Sequence, residues 1–254
     1  LYHHLPDLIC ESAELYFYES LLQQPANNRQ EVVAADLEGT LSAGATWRGL
    51  RGYLEANEQN ALFKQFMRPR LPQIILFRLG LLRNEQAFKE QWVLDMYQLF
   101  VGYTEAQFAE VAGFVVTQEL WPQRRPSVVA ECLAHQQNGR RLILVTGVNE
   151  PVLARFAARL NGAEAIGTPL EWTDGVFTGC TVGPMNTSQN KVEQLQPFTR
   201  NGRIHTAYGD TAADIPMLQL AKNGVAVCPD KVLQAADAQY GWRTLTCETA
   251  VVPS

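Results

Sequence analysis

The sequence predicts an α/β protein: a doubly wound parallel sheet with an inserted helical domain. Three observations predict it. Residues 32–35 form a short apolar run that ends in Asp36, Glu38 and Gly39. A carboxylate at the carboxyl end of a buried strand, followed by a glycine turn, is where an open α/β sheet places its chemistry. From residue 127 onward, apolar strand-like runs alternate with helical ones, as a parallel sheet covered by helices on both faces requires. Between these regions, residues 45–121 carry few strand signals and much helical periodicity.

Composition narrows the class before any motif is read. The chain has 254 residues, 46% hydrophobic and 19% charged, enough for one large domain or two smaller ones around a real core. A formal net charge of -5 and a pI near 5.5 argue against a nucleic-acid coat or a polybasic membrane anchor. The most apolar window, residues 71–82, is interrupted by Arg78 and is too short to span a bilayer, which takes roughly twenty residues. Five scattered cysteines, Cys10, Cys132, Cys180, Cys228 and Cys247, form no C-x-x-C pair and read as reduced thiols of a cytoplasmic protein. The oligomeric state is left open.

Taken in order, residues 1–30 form an N-terminal extension with a helix expected over residues 8–22. Residues 31–44 hold the first strand. Residues 45–121 form the inserted helical domain, with helices expected over 46–67, 85–101 and 104–120. Its Trp and Phe residues read as core. Residues 122–254 resume the sheet domain. A helix is expected over 127–137 with Ser127 as its cap and Gly139 as its stop. A strand follows over 141–145 and ends in Thr146-Gly147. The next helix has Pro151 in its first turn and stops at Asn161-Gly162. A short strand over 163–166 precedes a hairpin over 170–183, turned by Thr173-Asp174-Gly175. Lys191 opens another helix. A strand over 204–208 ends in Gly209-Asp210, residues 215–220 are helical, and residues 225–227 form the last strand.

Three strands thus end in polar residues: Asp36-Leu37-Glu38-Gly39-Thr40, Thr146-Gly147, and Gly209-Asp210 with Asp214 four residues on. Lys191 lies between the last two. Each alone is an ordinary strand end, helix-start lysine or exposed acid. Their joint order and spacing resemble the four motifs of the haloacid dehalogenase (HAD) superfamily over residues 31–246. The similarity is to its phosphoserine-phosphatase-like branch, whose helical cap sits between the first two motifs. The resemblance implies a Rossmann-like HAD core and a phosphatase acting on a small phosphate monoester through an aspartyl-phosphate. It further implies Asp36 as nucleophile and Glu38 as acid–base. Thr146, Gly147 and Lys191 would hold phosphate. Asp36, the Glu38 carbonyl, Asp210 and Asp214 would hold Mg²⁺.

The residue chemistry is consistent with that role. A phosphate monoester is anionic, so catalysis consists of positioning and charge neutralisation. An Asp nucleophile divides hydrolysis into two easier steps. Asp36, Asp210 and Asp214 would repel one another in a cleft; Mg²⁺ and Lys191 relieve that repulsion. Two departures from the family pattern stand out. Glu38 occupies a place where most members have Asp, which moves the transferred proton outward. Ala45 stands where phosphoserine phosphatases carry an acid for the substrate amino group, so phosphoserine itself gains no support. A phosphotransferase using an alcohol acceptor, or a non-catalytic domain retaining the fold, are the alternative readings.

Overall fold

The computed structural model describes residues 30–81 and 85–247. Its centre is a six-stranded, all-parallel sheet in the order β3-β2-β1-β6-β7-β8. The strands are β1 (Val32–Ala35), β2 (Arg141–Asn149), β3 (Glu164–Thr168), β6 (Ile204–Gly209), β7 (Ala221–Val227) and β8 (Arg243–Leu245). Between β3 and β6, an antiparallel hairpin of β4 (Leu170–Thr173) and β5 (Val176–Thr181) stands apart from the sheet. Asp174 and Gly175 both take positive φ at its turn, as a two-residue hairpin demands.

The helices are α1 (Thr46–Ala56), α2 (Asn60–Met67), α3 (Leu71–Arg78), α4 (Glu85–Tyr97), α5 (Glu105–Val115), α6 (Pro126–Gln137), α7 (Glu150–Ala157), α8 (Gln189–Leu195), α9 (Ile215–Leu220) and α10 (Lys231–Tyr240). The first six lie between β1 and β2, the first five of them within residues 46–115. Side chains of β1 alternate between two faces, and helices cover both, so all four of its residues are buried. Val33 and Ala35 join Leu142 and Leu144 on one face, where α6 and α7 supply Val128, Cys132, Leu153 and Phe156. Val32 and Ala34 join Ile143 and Val145 on the other, under Leu195, Met217, Leu218 and Leu233. The chain runs from β1 outward to β3, then crosses to β6 on the other side of β1. That reversal creates the crevice at the carboxyl ends of β1 and β6 where such sheets bind ligands.

Aromatic residues of the inserted helices are core, as expected: Phe63, Phe66, Phe100 and Phe108 are buried in one cluster with Val33 and Leu142 of the sheet, and Trp92 packs against it. They meet the hairpin edge to edge. Gly102 N–H donates to the Phe177 carbonyl (3.0 Å) and Phe177 N–H to that of Tyr103 (2.9 Å). The Phe108 ring packs on Trp172 and Phe177.

Several expectations need correction. The helix expected over 46–67 is two helices, because Glu58 takes a positive φ and breaks it. Residues 71–78 form a helix where none was expected. Pro126, not Ser127, opens α6: proline fits the first helical position, and the cap position falls on Arg125. The strand expected to end before Thr146 continues through Thr146-Gly147 to Asn149, whose side chain caps α7 by accepting from Val152 N–H (3.0 Å). Beyond residue 227 come α10 and β8, so β7 is not the last strand. Cys228 and Cys247, with Cα atoms 5.0 Å apart, are joined as a disulfide instead of standing reduced. They were unreadable as a pair because α10 and β8 return the chain to β7. Cys132 is free and buried, and Cys180 free and half-buried. The helix expected over residues 8–22 lies outside the described residues. Among the described residues no helix is long and apolar enough to cross a membrane.

Candidate active site

The site is organised by the turn after β1. The Leu37 carbonyl accepts from the N–H groups of Leu41 (3.0 Å) and Ser42 (2.9 Å), folding the chain back at once. Gly39 sits in this turn with φ +85°, and a Cβ there would lie 1.9 Å from Asp210 Oδ2. Glycine is therefore required twice, for the backbone and for the neighbouring carboxylate. The turn leaves Asp36 at the strand end, its N–H bonded to the Tyr208 carbonyl of β6 (3.0 Å).

Around Asp36 the structure gathers residues from four separate parts of the chain. Lys191 Nζ, buried, donates to Asp36 Oδ1 and to Asp214 Oδ1, each at 2.6 Å. Asp214 Oδ2 accepts from Asp210 N–H (3.1 Å) and Thr211 N–H (3.2 Å), so it fixes the turn after β6. Thr40 Oγ1 donates to Asp210 Oδ1 (3.0 Å). The Thr146 hydroxyl stands beside Asp36. Asp36, Asp210 and Asp214 each offer an oxygen, and these oxygens all lie within 4.8 Å of one another.

This packing shifts the titration of the cluster. Burial pushes Asp36 up to about 6, opposed by Lys191 and assisted by Asp214. Burial, then the charges of Asp36 and Asp214, pushes Asp210 up to about 8. Burial opposes the charge on Lys191, but Asp214 and Asp36 outweigh it and hold the amine above its ordinary value. Three acids facing one amine carry an excess of negative charge. Hard oxygen donors in such a cluster suit Mg²⁺, which binds carboxylates and keeps several waters. Both oxygens of Asp214 are already engaged, so Asp36 and Asp210 have the freer oxygens.

Glu38 is half-buried at the other side of the cavity, where Thr46 N–H donates to its Oε1. Burial raises its pKa against that hydrogen bond. The cavity has a volume of about 160 Å³ and is lined by Asp36, Glu38, Thr146, Gly147, Lys191, Asp210 and Asp214, all seven residues named from sequence. It is completed by residues that sequence reasoning missed: Thr46, Lys89, Glu90, Val93 and Tyr97 from the inserted helices, with Met185 and Thr187 from the loop before α8. Tyr97 OH and Thr46 Oγ1 are buried without a hydrogen-bond partner among the described residues. Helical periodicity gave these residues no orientation toward the site. Only Thr46, eight residues after Glu38 and the first residue of its helix, had a position that hinted at proximity. A larger cavity of about 910 Å³, lined by α6, β6, β7 and the α10–β8 connection, contains none of this carboxylate cluster.

Sheet, crevice and acid–lysine cluster together define one class. The chain belongs to the family of haloacid dehalogenase-like hydrolases, which it matches over residues 33–219. Its resemblances lie with the phosphoserine-phosphatase-like branch. It is 28% identical over 137 residues to a phosphoserine phosphatase of Mycobacterium tuberculosis, a match covering 52% of this chain and 43% of that one. The chain thus matches under half the length of that curated relative. In fold it is similar to a protein of unknown function from Bordetella pertussis Tohama I, with TM-score 0.69 and 20% identity over 85% of this chain and 98% of the other. It is also similar to a phosphoserine phosphatase solved with substrate, with TM-score 0.56 and 16% identity over 82% and 90% of the two chains.

Proposed function

We propose that this protein is a Mg²⁺-dependent phosphatase that hydrolyses a small phosphate monoester through an aspartyl-phosphate on Asp36. The observation that carries the reading is Asp36 itself: a strand-end carboxylate, held by a buried lysine and facing a second acid across a cavity of about 160 Å³. In this reading residues 45–121 act as a cap over the core formed by residues 31–44 and 122–254. Asp36, Asp210 and the Glu38 carbonyl would hold Mg²⁺, with Asp214 supporting them. When bound, the ion supplies positive charge to the acids and to the phosphate.

Thr146, Gly147 N–H and Lys191 hold the phosphoryl oxygens and aim phosphorus at Asp36. An Asp36 carboxylate oxygen attacks phosphorus as the bond to the leaving oxygen breaks. Glu38, whose carboxyl is pushed above its ordinary value by desolvation, gives its proton to that oxygen. The resulting Glu38 carboxylate then takes a proton from water, whose oxygen attacks phosphorus and releases phosphate, restoring Asp36 and the acid. Tyr97 and Thr46 line the cavity beside Glu38, where the leaving group would sit, and the small cavity fits a short, polar alcohol. Ala45 offers no counter-charge to an ammonium group.

The test is a panel of small alkyl phosphates assayed with Mg²⁺ and after EDTA. Turnover should need the metal and vanish in Asp36→Asn, while beryllofluoride should modify Asp36 of the wild type. Full turnover in a rigorously metal-free sample would refute the assignment, as would an adduct on another residue. Transfer of phosphate to an added alcohol in preference to water would convert the reading to a phosphotransferase.

A further inference from the structure

Helix α1 opens without a cap of its own. The position before it is Ala45, whose methyl accepts nothing, yet the first amides of a helix need acceptors. Two side-chain carboxylates take them. Glu38 Oε1 accepts from Thr46 N–H, and Glu119 Oε1 accepts from the preceding Ala45 N–H (3.0 Å). The same Glu119 oxygen accepts from Arg48 Nε (2.7 Å), and the Arg48 Nη2 donates to the Ala43 carbonyl (3.0 Å). Residues 43–48 are thus gathered around one carboxylate.

Glu119 is aimed there by an uncommon stretch of backbone. After α5 the chain widens into a π turn over Val116–Leu120, with Trp121 N–H bonded to the Val116 carbonyl five residues back (2.8 Å). Such turns are rare and occur often at functional sites. The approach to the start of α1 is close: a Cβ on Gly44 would lie 2.9 Å from the Glu119 carbonyl oxygen. The Glu119 side chain is only 15% exposed, so water competes little for its oxygens.

We infer that Glu119 is a positioning residue for Glu38, acting through the Ala45–Thr46 peptide. Successive amides at the start of one helix do not move independently, so fixing Ala45 N–H fixes the Thr46 N–H that holds Glu38. Glutamate needs this more than aspartate would: its added methylene brings another rotatable bond, and an unheld carboxyl would spread over several rotamers. Glu119 does not line the cavity, so its effect on the reaction runs through Glu38. The inference rests on Glu38 being the general acid of the proposed phosphatase.

The test compares Glu119→Ala, Glu119→Gln and Glu38→Gln with Mg²⁺, on an alkyl phosphate and on the nitrophenolate burst from nitrophenyl phosphate. Glu119→Ala should lower kcat for the alkyl ester by about 10–100-fold, part of the worth of a correctly placed acid, with KM and the burst little changed. Glu119→Gln keeps an oxygen for Ala45 N–H and Arg48 and should recover most of that loss. Glu119→Asp keeps the charge but withdraws the acceptor; it should behave as Glu119→Ala does, and serves should that variant not fold. A purely structural clamp would slow both substrates alike, and that result would overturn the inference. A selective loss in Glu38→Gln beside none in Glu119→Ala would overturn the inference and leave the acid standing. No leaving-group difference in Glu38→Gln would overturn the acid reading itself, and the inference with it.

Discussion

Replacing Lys191 with methionine nearly keeps the length of the side chain and removes the one cation among the described residues that contacts both Asp36 and Asp214. All three groups are buried, so water cannot take over the lost partner. Removing one side of a buried ion pair costs about 3–5 kcal/mol. At about 2–4 °C per kcal/mol for a chain of this size, the melting temperature should fall by roughly 6–20 °C in metal-free buffer at pH 8. The loss should shrink at pH 5, below the value of about 6 reached by Asp36, because a protonated Asp36 no longer needs the amine. Thermal unfolding followed by circular dichroism at both pH values, with EDTA present, measures this directly. A shift below about 2 °C at pH 8 would refute the reasoning, and so would equal shifts at the two pH values.

Three further outcomes follow from the same geometry. Glu38→Gln should slow alkyl phosphate hydrolysis by about 10²–10⁴-fold, the usual worth of a general acid. It should spare the initial nitrophenolate burst with nitrophenyl phosphate, a leaving group that needs no proton; rapid mixing would show a lost burst if Glu38 has another role. Gly39→Ala should cost about 1–2 kcal/mol from its positive φ alone. Because the new methyl would displace Asp210, Mg²⁺ affinity measured by calorimetry should fall by about 10–100-fold, and unchanged affinity would contradict the contact. In the metal-free wild type, the raised values of Asp36 and Asp210 mean that the native state keeps protons the unfolded chain has released. Stability should therefore decline as pH rises from about 4 to about 8, and Mg²⁺ should flatten that decline; a metal-free protein that gains stability across this window would contradict the signs.

The core of this arrangement was legible because its signals are local. The apolar run before Asp36, the glycine behind it and the polar ends of β2 and β6 lie within a few residues of each strand they terminate. Their assembly follows from parallel topology, which brings strand ends to one edge. The inserted helices were legible as helices but not as a cavity wall. Tyr97 and Val93 look like any other apolar-face residues until the tertiary packing of α4 is known. The break at Glu58 escaped because nothing in the side chain of glutamate announces a positive φ. The continuation of β2 past Gly147 escaped because glycine reads as punctuation, whereas Gly147 here leaves room for Thr187, which a Cβ would meet at 2.9 Å.

The seam between the inserted helices and the β4–β5 hairpin bears on how the molecule breathes. Backbone bonds join Gly102 and Tyr103 to Phe177, and Thr187 Oγ1 donates to Glu90 Oε1 (2.7 Å) near the cavity mouth. The two chain crossings at the base are laced together as well, through Ala43 N–H to the Gln123 carbonyl (2.9 Å) and Ser42 Oγ to that of Leu120 (2.6 Å). An insert fastened at both its base and its far edge cannot swing on a single strap. The far edge is held by further bonds from Glu105 N–H to the Gly175 carbonyl and from Gln98 to that of Gly179, and by the Phe108 ring against Trp172 and Phe177, so neither seam is a loose end. Amide deuteration should accordingly be slow at Phe177 as well as at Ala43, and exchange at Phe177 as fast as at an exposed loop would show that the edge opens by itself.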